Sequence, residues 1–289
     1  CTGTTGGGDL AVTTDPTPAV TRVDDTIDVT TVTLTVANNP VTEGTTITYT
    51  AVLTNPAQTP VTVTLSNGST ITIAAGQSSG SIDVAAPAND VYNNPTTLNT
   101  TITGATGGNF ESLVPSTTPA VVNIVDSIDT TTVVLTATTP AGGAVENGTI
   151  VYTATIGAPV TGPPVVVTLP NNQTITISED ETSGSVSFPL GNDVYNGAAT
   201  VSTAITGVTG GNYEQLTPNT TPVVTPVGDS VDVTNVVLTA TVPAGGAVEN
   251  GTIVYTATVG APVTGSPVVV TLSTNQTITI GVGETSGSG

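Results

Sequence analysis

The stretch PVTVTLSNGSTITI, residues 60–73, decides the fold class. Val61, Val63 and Leu65 alternate with Thr62 and Thr64, and beyond Asn67-Gly68 the residues Ile71 and Ile73 alternate with Thr70 and Thr72. Apolar side chains at every second position line one face of an extended strand, whereas a helix would scatter them around its surface. Upstream, Ile47, Tyr49, Ala51 and Leu53 face one way while Thr48 and Thr50 face the other; downstream, Ile82 and Val84 continue the pattern. Thr and Val favour strands, and Asn-Gly, Pro and Gly break the runs. No segment has a helical period. Strands are predicted near residues 29–36, 45–53, 60–66, 69–74, 79–85, 97–103 and 118–125. Seven strands in about 100 residues is the count of an immunoglobulin-like β-sandwich. Its core is expected to be aliphatic, since the chain has no Trp and a single Cys.

The pattern recurs. TIDVTTVTL (26–34) returns as SIDTTTVVL (127–135) and SVDVTNVVL (230–238), and TGATGGNFE (103–111) returns as TGVTGGNYE (206–214). ITYTA at residue 47 returns as IVYTA at 150 and 253, and NDVYN at 89 returns at 192. The spacing is 103 residues, falling to 101 ahead of the shorter first NNPVTEG turn. A period of this length means an array of like domains. The predicted organisation is the closing strands of a preceding repeat at 1–24, complete Ig-like repeats at 25–125 and 126–228, and the opening part of a further repeat at 229–289. Such an all-β chain of sandwiches is expected to form a linear rod. Cys1, followed by Thr and Gly, also suits a lipid-modified start.

Charge narrows the function. The 289 residues carry 21 Asp and Glu against one basic residue, Arg22, with no Lys and no His, for a net charge of −20. The usual general bases, a Ser-His or Cys-His pair, a Schiff-base lysine and a His/Cys zinc site are therefore excluded. No basic patch exists for nucleic acid. Gly and Pro break every apolar run well short of the roughly 20 residues of a membrane span. No enzyme is expected: the carboxylates could suggest glycoside hydrolysis, but every candidate recurs in each unit on a presumed turn. Without Lys, Lys-Asn isopeptide cross-links are excluded.

The acids recur in place. They are Asp25 with Asp28, Asp126 with Asp129, and Asp229 with Asp232 where repeats join; Glu43, Glu146 and Glu249 in a turn; Asp90 and Asp193 in the Asp-Val-Tyr loop; and Glu111 and Glu214. Like charges gathered without Lys or Arg repel. A hard divalent cation relieves this, because Ca²⁺ takes six to eight oxygen ligands of the kind these turns offer. Calcium at the joins is thus the expected cofactor, locking neighbouring repeats. The alternative is a set of solvated turn acids.

The Glu43-Gly44 turn, ITYTA, PVTVTLSNGSTITI, SGS at 79–81, the DVY loop, TGATGGNFE and SIDTTTV together resemble the tandem Ig-like extender repeats of giant bacterial RTX-type surface adhesins. The resemblance covers essentially the whole chain. It implies a non-enzymatic extracellular stalk at the bacterial cell surface or in a secreted fibre, with calcium at the junction acids Asp25, Asp28, Asp126, Asp129, Asp229 and Asp232. Gly228 stands before Asp229 where Val125 stands before Asp126, which predicts a looser third join. The partners it implies are neighbouring repeats of the same chain or fibre. A surface- or glycan-binding module is the alternative, as is a homo-polymeric filament in which the partial repeats at the two ends complement each other by strand addition.

Overall fold

The computed structural model describes residues 5–6 and 8–289; readings that rest on Cys1 and on part of TGTTGG (2–7) lie outside the described residues. The first repeat runs β1 (Val29–Val36), β2 (Val41–Thr42), β3 (Thr46–Leu53), β4 (Val61–Leu65), β5 (Thr70–Ile73), β6 (Ser79–Ala85), β7 (Thr96–Thr100), β8 (Ile102–Gly107), β9 (Ser112–Pro115) and β10 (Ala120–Val125). They form sheets in the orders β6-β3-β1-β9, β2-β10-β7 and β5-β4-β8. The period-2 pattern does what it implies. Along β3 the residues Ile47, Tyr49, Ala51 and Leu53 are all buried, and along β4 so are Val61, Val63 and Leu65. The fold is an all-β array of Ig-like sandwich repeats.

Three strands escape the alternation. The stretch predicted as one strand at 97–103 divides between β7, which pairs with β10, and β8, which pairs with β4. The two-residue β2 lies parallel to β10, and β9 lies parallel to β1. A two-residue strand is too short to show a period, and β9 carries Val114 outward at 44% exposure. Cross-strand pairing, and not the burial of one face, places these segments.

The second repeat repeats the plan: β11 (Thr130–Thr138), β12 (Ala144–Val145), β13 (Thr149–Thr155), β14 (Val165–Thr168), β15 (Thr174–Ile177), β16 (Ser183–Pro189), β17 (Ala199–Thr203), β18 (Gly207–Thr209), β19 (Gln215–Pro218) and β20 (Val223–Gly228). Its sheets are β16-β13-β11-β19, β12-β20-β17 and β15-β14-β18. Beyond it, β21 (Val236–Thr241), β22 (Val254–Val259) and β25 (Ser286–Ser288) form one sheet, and β23 (Val268–Thr271) with β24 (Thr277–Ile280) a second. Each complete core is mostly Val, Ile and Leu but holds one fully buried tyrosine. The Tyr49 hydroxyl lies 2.8 Å from Thr100 Oγ1, and Tyr152 accepts from Thr203 Oγ1 at 3.1 Å. A buried phenol needs such a partner, so the aliphatic core expected from the composition contains a polar pair as well.

The chain divides into two compact units. The first comprises Cys1–Asn89 and Asn94–Ser127; the second comprises Ile128–Gly289 together with Asp90–Asn93, a loop that lies within the first repeat by sequence.

Candidate functional site

Four short stretches of parallel pairing decide where the acids fall. In the first unit, β2 and β10 pair Thr42 with Val125, so one further step sets Glu43 beside Asp126. The Glu43 amide donates to Val125 O at 3.0 Å, and oxygens of the Glu43 and Asp126 carboxylates lie within 4.8 Å of each other. At the other end of the unit, β1 and β9 pair Val29 with Ser112, so one step back sets Asp28 beside Glu111. The Asp28 amide donates to Glu111 Oε2. The second unit has the same register. Val145 pairs with Gly228, which brings Glu146 to Asp229, and Thr130 pairs with Gln215, which brings Asp129 to Glu214. There the Glu146 amide donates to Gly228 O at 3.0 Å, and the Asp129 amide to Glu214 Oε2 at 2.5 Å.

The turn behind each glutamate needs a left-handed residue. Gly44 supplies it at φ 68°, and Asn147 and Asn250 at 61° and 62°, which fits the tolerance of Gly and Asn for that region. Gly44 N then donates to Pro87 O at 2.7 Å, and Asn147 N to Gly191 O at 3.0 Å, which ties the turn to the segment before the Asp-Val-Tyr loop.

Burial makes these carboxylates unusual. Glu43 is only 5% exposed; its Oε1 accepts from Ser127 N at 3.2 Å and Ser127 Oγ at 3.4 Å. Asp126 Oδ2 accepts from Asn94 N at 3.0 Å, but Asp126 Oδ1, Glu146 Oε2 and Asp229 Oδ1 are buried with no hydrogen-bond partner among the described residues. The one basic side chain, Arg22, has its Nε 2.6 Å from Asp24 and is largely exposed. A buried carboxylate oxygen without donor or counter-charge is costly. Oxygen ligands of this kind suit a hard cation.

The remaining acids behave differently. Asp90 Oδ1 accepts from Tyr92 N and Asp193 Oδ1 from Tyr195 N, each at 2.7 Å, so both cap the turn of their own loop. Asp232 Oδ2 accepts from Ser230 Oγ at 3.0 Å. Asp25 and Glu249 are exposed and enter neither kind of parallel pairing among the described residues. Glu111 and Glu214 are noted as recurrent in the sequence, but nothing in their spacing sets them beside Asp28 and Asp129; only the β1/β9 and β11/β19 pairings do.

The loop Asp90–Asn93 belongs to the second unit through its tyrosine. Val91 and Tyr92 pack on that unit's core; the Tyr92 hydroxyl donates to Pro159 O at 2.7 Å, and its ring lies 5.5 Å from the Tyr213 ring. One repeat on, Tyr195 does likewise, donating to Pro262 O at 3.0 Å. Tyr213 donates to Ala158 O at 2.8 Å, and burial, with Tyr92 beside it, pushes its phenol from an ordinary 10.0 up to about 12. The folded state thus holds this proton more tightly than the unfolded chain. The stabilisation is fully present below pH 10 and is lost between 10 and about 12, as the unfolded phenol ionises first. Melting of the second unit is therefore expected to fall across that window, and Tyr213→Phe to flatten the fall; Phe already stands at the aligned position, Phe110. An equally steep profile in the variant would assign the pH dependence to other groups.

The fold and the paired acids define a class: tandem β-sandwich repeats with carboxylates gathered at the ends of each repeat. The chain belongs to the LapA domain family, which matches it three times, over residues 28–127, 129–230 and 232–289. LapA is a large adhesin of biofilm, so these are bacterial adhesin-type repeats. No curated protein matches the chain. Among solved structures it is similar to a mutant of Salmonella alpha-2-macroglobulin, at 12% identity and a TM-score of 0.24, covering 90% of this chain and 21% of that one. It is also similar to fibronectin(III)-like modules of Clostridium thermocellum CbhA, at 14% identity and a TM-score of 0.21, covering 68% and 95%. The chain thus spans about a fifth of the length of the macroglobulin it matches. Among the described residues no helix is long and apolar enough to cross a membrane.

Proposed function

We propose that these repeats form part of the stalk of an extracellular, RTX-type bacterial surface adhesin, and that calcium held by the repeat-end carboxylates stiffens it. The stalk does no chemistry of its own. It carries a binding function away from the cell or forms the body of the fibre, with neighbouring repeats as its partners. The observation that supports the cation is a buried carboxylate oxygen on each of Asp126, Glu146 and Asp229 that has no hydrogen-bond partner among the described residues, in a chain with a single arginine. Glu43 with Asp126, and Glu146 with Asp229, are the inner ligands in this reading; Asp25, Asp28, Asp90, Asp129, Asp193, Asp232 and Glu249 are outer candidates.

Thermal melting in calcium against melting after chelation tests this. A cation at about 100 times its Kd stabilises by about 2.7 kcal/mol. For a domain of this size that is on the order of 10 °C. Glu43→Gln and Glu146→Gln should each remove part of the calcium-dependent increment while leaving the chelated melting temperature near that of the parent. Identical melting with and without calcium would sink the cation, and the acids would then be solvated turn residues.

A further inference from the structure

A groove of about 480 Å³ at the β1/β9 end of the first unit is lined by Asp28, Asn55, Pro56, Gln58, Asn109 and Phe110, among others. On the 103-residue register Pro56 corresponds to Pro159, Asn109 to Asn212 and Phe110 to Tyr213. In the second unit those positions are covered by Asp90–Asn93. The Tyr92 hydroxyl donates to Pro159 O at 2.7 Å, Asn212 Nδ2 donates to Asn93 O at 2.9 Å, and Asn93 N donates to Asn212 O at 3.0 Å. Glu214 N closes the ladder on Val91 O at 3.1 Å. The same tyrosine-to-proline bond recurs at Tyr195 and Pro262. In the first unit the equivalent asparagine is turned to a different partner: Asn109 Nδ2 donates to Gln58 Oε1 at 2.7 Å. Thr161, aligned with Gln58, makes no such bond, and its hydroxyl has no partner among the described residues.

We propose that this groove is a receptor for an Asp-Val-Tyr-Asn loop from another repeat of the same kind. The tyrosine hydroxyl donates to Pro56 O, its ring lies against Phe110, and the loop's asparagine carbonyl takes the Asn109 amide in place of Gln58. The contact is a neutral hydrogen-bonded plug with an aromatic anchor, so it needs no metal. It differs in this from the carboxylate pairs, and it explains why the loop's tyrosine recurs along with its aspartate.

The test is titration of the full chain with the synthetic peptide APANDVYNNPT, the sequence of residues 86–96, followed by NMR. Chelator is present throughout, so the outcome is independent of the calcium reading, and 0.5 M salt screens repulsion between the peptide and Asp28 and Glu111. Saturable shifts of the Asn109 and Gln58 side-chain amides and of the Phe110 ring are expected. A Kd on the order of 1 mM fits a contact that is intramolecular when tethered. The peptide with Ala for its tyrosine should not bind, and Asn109→Gly, which keeps the left-handed backbone of residue 109 at φ 55°, should weaken binding about tenfold. No shifts at several millimolar peptide, or equal shifts with the alanine peptide, would overturn the proposal. Concentration-dependent shifts that arise without peptide and that the peptide does not compete away would put some other surface of a second copy in the groove and overturn it equally.

Discussion

Gly184→Ala is expected to lower the melting temperature of the second unit by roughly 10–20 °C. An alanine Cβ at this position would lie 2.1 Å from the carbonyl oxygen of Thr176 and 2.8 Å from its carbon. The obstacle is backbone, in the middle of β15, and cannot rotate away as a side-chain tip would. Either the two strands part or the sheet edge shifts, and both forfeit packing along Ile175, which lies fully buried 3.1 Å from the same point. Overpacking of this kind costs about 1–3 kcal/mol and more where the neighbour is backbone. Each kcal/mol moves the melting temperature of a domain this size by roughly 4–8 °C. Gly80 and Gly287 stand in the same relation to Thr72 O and Thr279 O, at 2.5 and 2.1 Å, so Gly80→Ala should do comparable damage in the first unit. Ser185→Ala, one residue along on the outward face, is the control. Calorimetry that found Gly184→Ala within about 3 °C of the parent would mean that the strands part at little cost.

These glycines mark where sequence pattern stops being informative. SGS is visible as a recurring motif in a predicted strand, yet the approach of a second strand's carbonyl is a tertiary fact that alternation does not encode. The alternating strands themselves are another matter: Ile47 through Leu53 and Val61 through Leu65 bury the residues their period selects, because burial on one face is what produced the period. The parallel stretches β2 and β9 have no such signature, one being two residues long and the other half-exposed. That is why Glu43 could be placed in a turn and Asp126 at a join without showing that they meet, and why Glu111 and Glu214 recurred without a visible place. The Asp-Val-Tyr loop shows a different limit. Its recurrence marks the aspartate and the tyrosine alike, and only the fold gives them separate settings: Asp90 Oδ1 accepts from Tyr92 N of its own loop, and the Tyr92 hydroxyl donates to Pro159 O.

Tyr92→Ala is expected to destabilise the second unit, although residue 92 lies inside the first repeat by sequence. The substitution removes the hydroxyl bond to Pro159 O, the ring contact with Tyr213 and the apolar surface that Tyr92 lays on that unit's core. Full truncation of a buried aromatic costs about 3–5 kcal/mol. Tyr92 is half-buried, so about 2–3 kcal/mol is expected, or on the order of 10 °C in melting temperature. Tyr92→Phe removes the hydroxyl bond alone and should cost about 1 kcal/mol. Hydrogen exchange locates the loss: amides of β14 and β18 should exchange roughly 30- to 150-fold faster in Tyr92→Ala, each 1.4 kcal/mol being tenfold. Those of β3 and β6 in the first unit should keep their protection. The reverse result, with β3 and β6 loosened and β14 and β18 unchanged, would place the tyrosine's energy in the repeat that encodes it. The expected result instead means that each repeat completes the packing of the one after it, so that truncating one loop is read out as instability in its neighbour.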